Sequence, residues 1–260
     1  MGDLLYSRHS PLVITCALGL MLALALAIPV HAAENAGPCA QDGISPPAQP
    51  ANTLSDEERD AGWILLFDGT DNFERQWTGW DQQTVPGHWQ AVDGCLVNRS
   101  GSTDLVTRFR IRSYELKLEY RLTAGANSGI FIRADDRLAA PNLTSPEFQI
   151  LDDARHPDGR NTLTSAGSSY AIFARMHDVA REAGRWNQVH IIVDGDHVKF
   201  YLNKVKTVEY DMTSPEFMSA VAASHFGVHE QYGRLLDGQI VLQAHTGEVW
   251  FRDIKLRLLP

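Results

Sequence analysis

From Gly62 to the C-terminus, apolar residues recur at every second position in short runs broken by Gly, Asp-Gly, Asn and Pro, and no stretch holds a sustained helical period. Tyr114, Leu116, Leu118, Tyr120 and Leu122 alternate with Glu115, Lys117, Glu119 and Arg121, the pattern of a half-buried strand. Trp63 to Phe67 is apolar on both faces and stops at Asp68-Gly69. Asp93-Gly94 between two apolar runs is a type I′ hairpin signal; Asp194-Gly195-Asp196 marks a second hairpin, whose far end turns again at Asn203-Lys204. The last run is apolar at odd positions through Phe251 and at even ones from Ile254, so a bulge near Arg252-Asp253 is expected. The pattern predicts an all-β, two-sheet antiparallel sandwich of about twelve or more short strands. The one clear helix signal is the N-cap Ser55 followed by Asp56-Glu57-Glu58. The pentapeptide Thr-Ser-Pro-Glu-Phe occurs at 144–148 and again at 213–217, with unrelated residues after each copy, and is read as coincidence.

Three strands carry polar residues in phase. Glu147 and Gln149 alternate with Phe148 and Ile150, Arg133 is in phase with Phe131, and Gln243 is in phase with His245. If these strands share a sheet, the polar faces meet as one patch. Polar loops from Ala134 to Pro146 and from His156 to Ser168 flank the strand that bears Glu147, where binding sites are commonly built.

The N-terminal segment predicts that the domain is exported. Residues 1–32 read as a signal peptide: Arg8 and His9, an apolar run from Pro11 to Val30, and the small-residue junction Val30-His31-Ala32. Retention of that run as an N-terminal membrane anchor is the alternative. Residues 33–54 carry few bulky apolar side chains and read as a flexible leader, with the folded domain over 55–260. The net charge of −9 argues against nucleic acid and anionic membrane as partners. Cys39 and Cys95 survive removal of the signal into an oxidising compartment, periplasmic or extracellular, either as a disulfide or as free thiols.

Gly62-Trp63 with Phe67-Asp68-Gly69, Trp89 with Val92-Asp93-Gly94, Asn127-Ser128-Gly129-Ile130 with Arg133, Glu147 to Asp152, Gly184 with Trp186-Asn187, Gln243 with His245, and Val249 to Ile254 occur in that order. In this the chain resembles the 3-keto-disaccharide hydrolase domain family. The resemblance covers roughly Ser55 to the C-terminus. It implies a concanavalin-like lectin/glucanase jelly roll in an exported bacterial protein that cleaves glycosides oxidised to a ketone at C3. Two stretches depart from the family's pattern: Gln243-Ala244-His245-Thr246-Gly247, where Asp-His-Gly usually follows the glutamine, and Gly167-Ser168-Ser169-Tyr170, where the family has a Gly-Ala-Leu-Tyr-like run.

A 3-keto group acidifies the C2 proton, so cleavage needs a base, an acid and a group to hold the enolate oxygen. His245 is the candidate base, since histidine as a residue type titrates nearest neutrality. Glu147 is the candidate acid, or the partner that orients the histidine, and Arg133 the candidate enolate stabiliser. Asn127, Gln149, Tyr170 and Gln243 are candidates to hold sugar hydroxyls. The bland readings are an ordinary strand histidine and a Glu147–Arg133 ion pair on a wet face. Trp77, Trp80 and Trp89 are either sugar platforms or core. No cofactor is required by the sequence; Asp152 and Asp153 are weak candidates for a divalent ion such as Ca²⁺, with turn capping as the alternative. A classical retaining glucanase would place a second carboxylate in phase after Glu147, where this chain has Gln149. A non-catalytic carbohydrate-binding module is the competing function.

Overall fold

The alternation becomes thirteen strands in the computed structural model, which describes Cys39 and residues 50–80 and 84–260. They are β1 (Trp63–Leu65), β2 (Trp77–Gly79), β3 (Trp89–Val92), β4 (Cys95–Arg99), β5 (Leu105–Thr107), β6 (Tyr114–Leu122) and β7 (Asn127–Ala134). The series continues with β8 (Glu147–Leu151), β9 (Asn187–Asp194), β10 (His197–Leu202), β11 (Val205–Asp211), β12 (Gln239–Leu242) and β13 (Glu248–Leu258). One sheet runs β11-β10-β9-β6-β13-β4-β3, with β1 also on β13; the other runs β2-β5-β12-β7-β8. Neighbouring strands in both sheets are antiparallel, as expected for a two-sheet sandwich.

The core is what the two inner faces bury together. Leu116, Leu118 and Tyr120 of β6, Ile191 and Val193 of β9 and Phe200 of β10 meet Ile130, Phe148, Ile150, Ile240 and Leu242 of the smaller sheet in one apolar cluster. Phe148 meets Phe200 edge to face across the gap, with centroids 5.3 Å apart. The hairpin turn read as type I′ has the required positive φ at Asp93 and Gly94, and the turn at Asn203-Lys204 has positive φ at both residues too. The bulge in β13 lies where the phase change put it: the register with β6 shifts between Arg252 and Lys255, and Asp253 takes φ 52°.

Ser55 caps α1 (Asp56–Asp60) with a full capping box through Glu58. Packing begins ahead of Ser55, however. Asn52, placed in the leader by composition, is buried; its N–H donates to Asp253 Oδ1 (2.7 Å), its amide donates to Gly94 O (2.7 Å), and its Oδ1 accepts from Asp253 N (2.8 Å). Cys39 and Cys95 form a disulfide, with Cα atoms 5.7 Å apart. The signal segment and the other leader residues up to 49 lie outside the described residues. A second helix, α2 (Pro215–Ala223), was not expected from the strand pattern; Ser214 caps it by accepting from Phe217 N.

Candidate active site

Glu147, Gln149 and Gln243, three of the candidate side chains, sit on the outer face of the five-stranded sheet. Phe148 and Ile150 point into the core, so Glu147 and Gln149 point out; Ile240 and Leu242 point in, so Val241 and Gln243 point out. Gln149 pairs with Gly129, and Gly129 O accepts from Gln243 N at 2.9 Å. Leu242 pairs with Leu105, and carrying that register one residue further sets Gln243 beside Asp104. Trp80 N in turn donates to Asp104 O at 2.9 Å. A polar row therefore crosses the sheet as Gln149, Gly129, Gln243, Asp104 and Trp80. Below it lies an apolar floor of Phe131, Val241, Val106 and Ala134, against which Trp80 packs.

Gly129 interrupts this row for a steric reason: a Cβ there would collide with Glu147 Oε1, so the missing side chain is the space the carboxyl occupies. Glu147 is 5% exposed. Burial, and then the nearby charges of Asp104 and Asp158, push its carboxyl well above the usual carboxylate range. Asp104 is itself pushed up to about 6 by burial, partly offset by the bond its Oδ1 accepts from Ala244 N at 2.8 Å. Tyr170 N donates to Glu147 O, and its half-buried ring lies against Phe226; burial, with Asp158 and Glu147 adding, raises its phenol above the ordinary range. Gln149 Oε1 accepts from Ile150 N, leaving its amide NH₂ as a donor. Gln243 Oε1 and Asn127 Oδ1 are buried acceptors with no donor among the described residues.

Arg133 does not join this face. The register of β7 with β12 slips between Gln239 and Val241, and Ser145 Oγ accepts from both Ile132 N (2.9 Å) and Arg133 N (3.0 Å), a bulge that inverts the phase read from Phe131. The buried guanidinium turns to the β9–β10 turn instead, bonding Asp196, Gly195 O, Arg112 O and Leu235 O. It is a strut rather than an enolate clamp. It makes no ion pair with Glu147 either, which removes the wet-face reading of that pair.

His245 lies just past the end of β12, exposed, with Thr246 Oγ1 3.4 Å from Nδ1. It is neither buried among apolar side chains nor bonded to Glu147, so the orienting role considered for Glu147 has no contact behind it. Trp77 and Trp89 are core, their indole N–H groups bonding Leu66 O and Thr103 O; Trp80 alone of the three candidates borders the polar row. The carboxylates of Asp152 and Asp153 go separate ways. Asp152 accepts from Gly125 N (2.7 Å) and Asp153 from Ala166 N (2.9 Å) while pairing with Arg175. Among the described residues no three His, Cys, Asp or Glu side chains converge to hold a metal ion. A cavity of about 820 Å³ lies on the eight-stranded sheet, where Lys255 pairs with Glu58 and Arg252 with Glu119. Sequence reading missed Asp104 because it stands outside any motif, one residue before a three-residue strand.

A family model, the 3-keto-alpha-glucoside-1,2-lyase-like domain, matches residues 62–257. The chain is 29% identical over 230 residues to a 3-keto-disaccharide hydrolase of Bacteroides thetaiotaomicron, covering 76% of this chain and 79% of that one. Two crystal structures of candidate glycosyl hydrolases from Parabacteroides distasonis also match. One has a TM-score of 0.75 at 26% identity over 81% of this chain and 100% of that one. The other has a TM-score of 0.59 at 28% identity over 71% of this chain and 100% of that one.

Proposed function

Starting from the fact that the chain belongs to the 3-keto-alpha-glucoside-1,2-lyase-like domain family, we propose that it cleaves the glycosidic bond of 3-keto-glycosides by elimination and hydration. The observation that carries the reading is a buried carboxyl, Glu147, held above the usual carboxylate range on an outer sheet face among sugar-binding residue types. A carboxylic acid that keeps its proton near neutrality can donate it to a leaving oxygen.

In the proposed sequence His245 takes the C2 proton and the C2–H electron pair forms the C2–C3 double bond, leaving charge on the C3 oxygen. The amide NH₂ of Gln149, whose Oε1 accepts from Ile150 N, is the donor assigned to that oxygen. When the C3 carbonyl re-forms, the electrons make the C1–C2 double bond and the C1–O bond breaks, its oxygen taking the Glu147 proton. Water then adds its hydroxyl to C1 and a proton returns to C2, so the net reaction is hydrolysis. Gln243 Oε1 and Asn127 Oδ1, acceptors without a protein donor, suit sugar hydroxyls, and Tyr170 borders Glu147. The Cys39–Cys95 disulfide supports the exported location inferred from residues 1–32.

The test uses a 3-keto-glucoside and the unoxidised glucoside as control. Cleavage of the keto substrate only, with deuterium from D₂O at C2 of the product, is expected; His245→Ala should lower kcat by about 10²-fold or more with substrate binding largely kept. Product free of solvent deuterium, together with an unaffected His245→Ala variant, would overturn the route. Binding of both sugars without turnover would favour a carbohydrate-binding module.

A further inference from the structure

We propose that Asp104 is a positioning residue for this reaction, clamping the Gln243–His245 segment through the Ala244 amide and presenting a second carboxyl beside Gln243 on the face that holds Glu147. The proposal rests on the reading of Glu147 as the acid.

The geometry begins with the end of a ladder. β12 pairs with β5 only through Leu242, so the next free backbone donor on that side, Ala244 N, has no strand carbonyl to meet. Asp104 Oδ1 takes it at 2.8 Å. Gln243 and His245 flank Ala244, so this one bond fixes the backbone between a proposed sugar ligand and the proposed base. Asp104 is fixed in turn, because its carbonyl accepts from Trp80 N and Leu105 pairs with both β2 and β12. The residue therefore stands where three strands meet, opposite Gln243 on the face that holds Glu147.

Its second effect is electrostatic. Among the described residues, the charged or titratable groups that bear on Glu147 are Asp104 just before β5, Asp158 and Tyr170 from the loops beyond β8, and Tyr232 from the loop before β12. None is a cation. Of the two carboxylates, Asp104 has the larger influence. A negative charge held beside a buried acid disfavours its ionisation, so Asp104 helps Glu147 arrive at the leaving group protonated. The chain thus recovers, from β5, the second carboxyl that the Glu147-Phe148-Gln149 strand itself lacks.

Asp104→Asn separates the two effects, because its amide oxygen can still accept from Ala244 N while the charge is gone. For this variant the alkaline limb of the kcat profile should move to lower pH, with KM within about twofold of the parent. Asp104→Ala loses the clamp as well and should raise KM by about tenfold. A ¹³C NMR titration of the Glu147 carboxyl gives a readout independent of turnover, its midpoint falling in Asp104→Asn. An unmoved midpoint and an unmoved limb in a folded Asp104→Asn protein would overturn the proposal. If instead the midpoint falls but Glu147→Gln cleaves at the parent rate, the electrostatic coupling stands and the reading of Glu147 as the acid fails, taking the catalytic part of the proposal with it.

Discussion

Burying a carboxyl among other acids costs folding stability wherever it must ionise, and Glu147 shows the sign of that cost. Its folded-state proton affinity is raised by burial and by Asp104 and Asp158, so the folded chain holds the proton more tightly than the unfolded one. The stability this contributes is complete below the ordinary carboxylate range and is lost as pH rises toward the folded-state value. Glutamine has nearly the same shape and no charge to bury. Glu147→Gln should therefore match the parent in Tm near pH 4 and exceed it by a few degrees at pH 8, while kcat falls about 10²- to 10⁴-fold. Thermal melts at the two pH values, beside rate measurements, check both halves; equal melting temperatures at pH 8 would mean that the carboxyl ionises without penalty. Gly129→Ala probes the same contact from the other side. The added methyl meets the mobile end of a side chain, so the fold should survive while the Glu147 carboxyl is displaced and activity drops about tenfold or more.

At the scale of elements, alternation was a reliable guide wherever a strand ran without interruption, and it failed at a bulge. β6, β9 and β10 were legible because each keeps one buried and one wet face through its length. The β13 bulge was legible too, since apolar residues on both sides of it record the change of phase. The bulge in β7 left no such record: Asn127 to Ala134 is buried throughout, so no polar–apolar switch marks the step that turns Arg133 away from Glu147. Thr-Ser-Pro-Glu-Phe shows how far local sequence reaches. Ser214 caps a helix because Met218 to Ala223 favours one, while Ser145 Oγ instead holds the bulge of β7 and the chain continues as β8. Asp104 was illegible because its partner Ala244 is 140 residues away. The buried position of Arg133 carries its own prediction. Arg133→Met leaves Asp196 and three carbonyls without their donor, so Tm should fall by the equivalent of about 3–5 kcal/mol. Any loss of kcat/KM measured well below that Tm should be small. A stable but inactive variant would return Arg133 to the chemistry.

Across the whole molecule the two sheets divide the work. The five-stranded sheet carries the Gln149-to-Trp80 row, and the eight-stranded sheet carries the ties to the N-terminal stretch: the bond from Cys39 to Cys95 in β4, the Arg252 N–H to Cys39 O (2.7 Å), and Asn52 bridging Gly94 and Asp253. The larger sheet also holds a cavity of about 820 Å³, lined in part by the pairs Arg252–Glu119 and Lys255–Glu58, whereas no cation pairs with Glu147 among the described residues. This division predicts that stability and catalysis respond separately to reduction. The disulfide closes a loop with a sequence separation of 56, for which chain entropy lost from the unfolded state gives a contribution of about 4 kcal/mol. Reducing it, or replacing Cys39 with Ser, should lower Tm by several degrees while leaving kcat/KM for a 3-keto-glucoside at 25 °C within about twofold, because the polar row lies on the five-stranded sheet and the disulfide is on β4 of the other. A reduced protein that keeps its Tm would show that Asn52 and Arg252 alone secure the stretch. One that keeps its Tm but loses turnover would break the division between the sheets.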